Sequence, residues 1–287
     1  MTTKETFDFV KSHLPKPYYQ DDYTALYHGD SMELVKLLPT SYVKMVATDP
    51  PYGILYKSGQ RIITELDVIA NDHELHLPFD ELWRVTRSDG SMFIFYSWKV
   101  PMFRKVSVPM SVGEAKWTYT TLERDDRIRN EIIWYKGGGG MGDLKGDFAN
   151  EYETIAFCPK ENFVIHGDKR PTNVILDIPK VGTKRVHLTQ KPVRLMDRII
   201  RWGTNVGDIV LEPFAGSGTT GLACQKASRY CIMFELNERN CKIIRNRLSQ
   251  MELDFGGGSE KLTAVDDYIQ EDMFGEPDDI GSTETTG

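Results

Sequence analysis

Two short segments carry polar groups at spacings that suit chemistry on the amino group of a heteroaromatic base. The first is Asp49-Pro50-Pro51-Tyr52-Gly53. An exocyclic amine of this kind is a poor nucleophile because its lone pair is delocalised into the ring, and two acceptors gripping its hydrogens would localise that pair. The Asp49 carboxylate and the Pro50 carbonyl can supply those acceptors, and Pro50 and Pro51 stiffen the chain that carries them. Tyr52 adds a face on which a base can stack, worth roughly 1 to 3 kcal/mol. The same five residues would also serve as an ordinary strand-ending turn.

The second segment is Glu212-Pro213-Phe214-Ala215-Gly216-Ser217-Gly218-Thr219-Thr220. A strand, a G-x-G turn and a helix start let backbone approach a nucleotide-like ligand without a Cβ in the way, and helix N-terminal amides can hold an anion. Glu235 ends the following apolar run, where a Rossmann-like unit places an acid on ribose hydroxyls. Gly216-x-Gly218-x-x-Gly221 has the glycine spacing of a dinucleotide fingerprint, with Thr219 and Thr220 before the last glycine. That pattern points to an adenosine-bearing cofactor. G-x-G by itself also makes bare turns.

Short apolar runs alternate with helical patterns, as a mostly parallel sheet with helical crossovers requires. Strands are predicted at 24–30, 43–49, 91–96, 208–212 and 230–235, with helices at 31–38, 77–87, 192–202, from 218, and 238–250. NEIIWY at 130–135 and ETIAFC at 153–158 flank a glycine-rich stretch and form a candidate antiparallel edge. GGGGMG at 137–142 reads as a hairpin loop. Both chemical segments then follow strand ends, where open α/β sheets bind ligands.

The 287 residues suit one catalytic domain with appendages. No apolar run is long enough to span a membrane and the N-terminus has no signal-like core, so a cytoplasmic location is expected. Cys158, Cys224, Cys231 and Cys241 lack metal-ligand spacing and read as reduced, half-buried side chains; no metal site is expected. The net charge of −7 is uneven: residues 251–287 hold eleven acids and one lysine, leaving 34 basic and 31 acidic residues in the first 250. Lys184, Arg185, Lys191, Arg194, Arg198 and Arg201 form a cationic run that would suit phosphates, or simply a solvated helix face. The acidic end, 251–287, has too little apolar surface to order itself and is expected to be a disordered tail.

Both segments in this order, with TQKP at 189–192 before the second, resemble the circularly permuted β class of S-adenosylmethionine-dependent DNA amino-methyltransferases. The likeness runs from about residue 27 to 246 and includes GD at 29–30, TDPPYG at 48–53, IIWYK at 132–136, GMG at 140–142 and GDIVLEPFAGSGTTG at 207–221. It implies a Rossmann-like methyltransferase fold over 1–250. It implies that Asp49, Pro50, Pro51 and Tyr52 hold the target amine of a nucleotide flipped out of double-stranded DNA, with direct in-line methyl transfer. It implies that Glu212, Phe214, Gly216, Gly218, Thr219 and Glu235 hold the cofactor, with Asp30 at its adenine and Thr189, Gln190 and Lys191 at its methionine end. Two departures stand out: Glu212 replaces the usual aspartate, and MFELN at 233–237 replaces a glycine-containing G-x-E. Neither removes a carboxylate.

The D-P-P-Y form points to adenine N6, with cytosine N4 as the alternative, a stand-alone or restriction-linked enzyme as the setting, and a non-catalytic DNA- or clamp-binding protein as the reading from another class. Target recognition is expected in 101–129 and 163–187, where Arg127, Arg129, Lys169, Arg170, Lys184 and Arg185 supply cations. The segment 53–72, with Lys57 and Arg61, is expected to close over the base, or to be a plain surface loop. Dimers are common in such enzymes, so a homodimer is expected. Gln270-Glu271-Asp272-Met273-Phe274 resembles the peptides that dock bacterial proteins on the sliding clamp, although a chance apolar pair in an acidic tail would look the same.

Overall fold

The computed structural model describes residues 1–51, 77–96, 103–112, 115–138, 146, 148–167, 169–181 and 190–254. Tyr52, the 53–72 segment, most of GGGGMG, Lys184, Arg185, Thr189 and the clamp-like residues Gln270, Met273 and Phe274 lie outside them, as does the tail beyond 254. In chain order the elements are α1 (Thr3–Lys11), β1 (Tyr19–Gln20), β2 (Thr24–His28), α2 (Ser31–Leu37), β3 (Val43–Thr48), α3 (Phe79–Val85), β4 (Thr86–Tyr96), β5 (Phe103–Val112) and β6 (Ala115–Arg124). Then come β7 (Asn130–Tyr135), β8 (Tyr152–Pro159), β9 (Val174–Ile175), α4 (Val193–Gly203), β10 (Ile209–Glu212), α5 (Thr219–Lys226), β11 (Tyr230–Glu235) and α6 (Glu238–Asp254).

Nine strands form one sheet in the order β1-β2-β11-β10-β3-β4-β8-β7-β9. The stretch β2-β11-β10-β3-β4 is parallel throughout. β8 pairs antiparallel to both β4 and β7, so the expected antiparallel edge is present.

Alternation along the strands sorts side chains to two faces. Met45, Ala47, Phe93, Phe95 and Val210 pack with Leu195, Ile199, Leu222, Ile244 and Leu248 of α4, α5 and α6. Val46, Met92, Ile94, Ile209 and Leu211 pack with Phe7, Val10, Leu34, Val35, Leu82 and Val85 of α1, α2 and α3. Helices on both faces explain why the central strands are buried along their whole length, as a parallel sheet demands.

The structure corrects several local expectations. The helix expected at 77–87 ends at Val85, and β4 begins at Thr86 rather than 91. That early start passes through Gly90, where an added Cβ would lie 2.6 Å from the Lys44 carbonyl oxygen, beside the register shift between Val43 and Met45. α6 runs four residues past the expected end, to Asp254. The four cysteines are fully buried rather than half-buried. Helix α1, closed by a Thr2–Glu5 capping box, was not foreseen, and neither were the two-residue strands β1 and β9 or the β5–β6 ribbon, which pairs Phe103 with Arg124 through Val112 with Ala115.

Candidate active site

Chain direction fixes where a ligand can sit. β10 feeds through α5 to β11 on one side, whereas β3 feeds through α3 to β4 on the other. The two crossovers diverge from neighbouring strands and leave a crevice at their carboxyl ends, the place where open α/β sheets bind ligands. Four acids lie along that edge: Asp30 after β2, Glu235 ending β11, Glu212 ending β10 and Asp49 after β3. Asp49 and Lys191 line one cleft together with Phe214 to Ser217, Met196, Glu212, Thr219 and Thr220. The two segments singled out from the sequence therefore meet, although more than half the chain separates them.

Glu212 forms the floor. Its Oε1 accepts from the Thr48 hydroxyl at 2.6 Å and the Phe214 amide at 3.1 Å, and its Oε2 accepts from the Thr220 hydroxyl at 2.7 Å. Burial pushes its carboxyl up to about 8; the three donors pull the other way, and the nearby Asp49 adds to the rise.

The glycine loop is held by Glu235 and by Arg247. Glu235 accepts from the Gly216 amide at 2.8 Å through Oε2, and from the Asn237 amide at 2.8 Å and the Asn240 side chain at 3.2 Å through Oε1. Burial still leaves its carboxyl above the ordinary value. Buried Arg247 of α6 donates to the Ser217 carbonyl. Gly216 and Gly218 take positive φ values of 53° and 76°, and a Cβ on Gly218 would come 2.9 Å from Cγ2 of Ile244. Gly218 is also the N-cap of α5 and brings no side-chain acceptor to the first-turn amides. A bare backbone cradle at a helix start suits the carboxylate end of an amino-acid-bearing cofactor. Asp30 caps α2 by accepting from the Met32 amide at 2.8 Å.

The structure corrects one assignment from the cationic run. Lys191 is not on a solvated or phosphate-facing surface; it is buried, and its ammonium donates to Oδ2 of Asp49 and lies 3.1 Å from Oε2 of Glu153. It also sits 4.9 Å from the centre of the Phe95 ring. Although burial opposes its charge, the two carboxylates outweigh that and raise its pKa above the ordinary lysine value. The other described members of the run lie on α4 and are matched by acids: Arg198 with Asp177 at 2.6 Å, Arg194 with Asp177 at 3.4 Å and Arg201 with Asp197 at 2.9 Å. Sequence reading missed Glu153 and Lys136, whose side chains stand 3.7 Å apart. Lys136 lies inside the IIWYK segment, but no local pattern marks either residue as part of a site. Among the described residues no group of His, Cys, Asp or Glu could hold a metal ion. No helix among them is long and apolar enough to cross a membrane.

A family model described as DNA methylase, covering the N6 and N4 methyltransferases, matches residues 43–246, from the start of β3 through most of α6. The chain belongs to the DNA methylase family. It is thus a methyltransferase with DNA as substrate and S-adenosylmethionine as methyl donor. Among relatives of this DNA methylase, the type II methyltransferase M.BamHI of Bacillus amyloliquefaciens is 30% identical over 265 residues, 83% of this chain; the chain spans 60% of that protein's length. The DNA adenine methyltransferase YhdJ of Escherichia coli K12 is 28% identical, with 77% of this chain and 81% of that one covered. The fold is shared with the M1.HpyAVI–SAM complex (TM-score 0.54, 24% identity, 78% of this chain and 100% of that one). It is also shared with the cytosine-N4-specific PvuII DNA methyltransferase (TM-score 0.54, 20% identity, 82% and 95%).

Proposed function

We propose that this DNA methylase methylates the exocyclic N6 amine of adenine in double-stranded DNA, with residues 1–250 as the catalytic unit in the permuted motif order. The observation that carries the reading is that Asp49 and the glycine loop line one crevice. The cofactor supplies an electrophilic methyl group when bound. Phe214, Gly216, Gly218 and Thr219 cradle it, Gln190 and Lys191, with the neighbouring Thr189, serve its methionine end, and Glu235 and Asp30 serve its ribose and adenine. Asp49 and the Pro50 carbonyl accept the two hydrogens of the target amine, and Pro51 and Tyr52 complete the rigid wall against which the base stacks. A methyl group held in line would bond to the amine nitrogen as the donor sulfur kept the electrons of the broken carbon–sulfur bond, and one of the hydrogens held by Asp49 and Pro50 would then leave as a proton.

Adenine is favoured by the D-P-P-Y form and by the relative named as an adenine enzyme. The N4 position of cytosine is a similar conjugated amine for the same groups, and one structure of this fold comes from a cytosine-N4 enzyme. Duplex DNA presents the amine after the nucleotide flips out of the stack, at a cost of a few kcal/mol. Segments 101–129 and 163–187 serve recognition. The β5–β6 ribbon in the first supports this, because a two-stranded ribbon fits the major groove.

Transfer of labelled methyl to unmethylated DNA, followed by nucleoside mass spectrometry with Asp49→Ala as control, tests the reading. N6-methyladenine that disappears in the variant is the expected result. N4-methylcytosine would move the target to the other base. Cofactor-free DNA binding with no product on any DNA would favour a non-catalytic protein.

Two partner assignments belong to the same reading. The enzyme acts as a homodimer, and sedimentation showing only monomer with and without DNA would overturn that. The tail, 251–287, docks on a sliding clamp through Gln270, Met273 and Phe274; absence of clamp binding by the intact chain would dispose of it.

A further inference from the structure

Lys136, Glu153, Lys191 and Asp49 form a line of alternating charge that ends at the proposed acceptor for the target amine. Nζ of Lys136 stands 3.7 Å from Oε1 of Glu153, Oε2 of Glu153 stands 3.1 Å from Nζ of Lys191, and Lys191 donates to Oδ2 of Asp49. Topology explains how these residues meet. β8 runs antiparallel to β4, so its first residues lie at the edge where β3 and β4 end, and β7, antiparallel to β8, finishes at that edge too. In register, Glu153 pairs with Trp134, one step beyond the Tyr96–Thr154 pair at the end of β4.

We propose that Glu153 is a positioning residue for methyl transfer: by sharing the Lys191 ammonium with Asp49, it fixes the geometry of Asp49 and preserves the carboxylate's strength as an acceptor. The inference rests on the reading of Asp49 as acceptor for the amine. A lysine buried beside a single carboxylate would draw that carboxylate into a tight pair and withdraw charge from the lone pairs the amine must use. A second carboxylate on the far side of the ammonium divides its attraction and holds it from both ends. Lys136 balances Glu153 in turn, so the line stays neutral and tolerates its burial. The surroundings leave Lys191 little room to settle elsewhere, since Phe95 flanks it and Pro192 turns the chain into α4 immediately after it.

The test is a double-mutant cycle on the full chain between Glu153→Gln and Lys191→Met, read as single-turnover methyl transfer at saturating S-adenosylmethionine and DNA. A displacement on the ångström scale at a reacting group can cost on the order of 100-fold. Glu153→Gln is expected to lower the rate by about that factor in the otherwise unaltered protein, while the dissociation constants for S-adenosylmethionine and DNA stay within about twofold. In the Lys191→Met background the same change is expected to cost less than about threefold, because Glu153 then has no ammonium to position. A purely structural residue would give equal losses in both backgrounds. Glu153→Asp, which keeps the charge, is expected to recover part of the rate.

A readout that needs no turnover is the ¹⁵N resonance of the Lys191 ammonium, assigned by its loss in Lys191→Met. Two carboxylates should hold it in slow exchange with water, and Glu153→Gln should broaden it. Equal losses in both backgrounds, an unchanged rate in Glu153→Gln, or an unaltered resonance would overturn the proposal. Full activity of Asp49→Ala would instead remove the reading beneath it, whatever the resonance shows.

Discussion

The Thr48 hydroxyl donates to Oε1 of Glu212 at 2.6 Å, joining the residue before Asp49 to the residue that opens the glycine loop across 164 positions of sequence. This bond and its mate from Thr220 make a buried carboxyl the pin between the strand end proposed to hold the target amine and the loop proposed to hold the cofactor.

That pin should be visible in the pH dependence of stability. The Glu212 carboxyl rises from 4.5 to about 8 on folding, so between those values the folded protein retains a proton that the unfolded chain releases. Its contribution is complete below about pH 4.5 and is lost as pH rises through about 8. Denaturant melts across this window are expected to show a decline that Glu212→Gln, uncharged throughout, flattens. Identical pH slopes for the two proteins would refute the assignment.

The two loop glycines should not be equally replaceable. Alanine at 216 meets only the Phe214 carbonyl oxygen, 3.9 Å away, and carries just the penalty of its left-handed backbone, roughly 1 to 2 kcal/mol. Alanine at 218 adds a collision with Ile244 to the same penalty. Gly218→Ala is therefore expected to lower stability and S-adenosylmethionine affinity more than Gly216→Ala, as read by urea melts and calorimetry. The reverse order would contradict the loop geometry.

Arg247→Met keeps most of the buried volume and removes the donor to the Ser217 carbonyl. Leaving that acceptor less well satisfied should cost about 1 to 3 kcal/mol. Because the bond ties α6 to the loop, cofactor affinity is expected to fall while the affinity for DNA alone stays the same. Unaltered cofactor binding would show that α6 does not support the loop.

The arginines of α4 are matched by acids on the protein itself. Asp177 is held low, to about 2, chiefly by its bond to Arg198. Arg198→Ala is accordingly expected to change DNA affinity by less than threefold and leave its salt dependence unchanged, since an arginine already paired releases few counterions. A clear loss of salt slope would place α4 on the DNA after all.

Much of this architecture was legible because it is written in neighbouring residues. Alternating apolar runs marked the central strands, since a strand buried on both faces has few polar positions, and G-x-G after β10 marked the proposed cofactor loop, since only glycine accepts those backbone angles cheaply. Asp49-Pro50-Pro51 was recognisable because its chemistry lies in adjacent groups. The tertiary structure alone decided what Lys191 does: by spacing it belonged with Arg194, Arg198 and Arg201, but it precedes Pro192 and turns inward, where two carboxylates offset the cost of its burial. Glu153 and Lys136 were silent in sequence for the same reason. Their place beside Lys191 comes from an antiparallel strand that returns to the edge where β3 and β4 end, and strand direction is set by sheet pairing rather than by local pattern.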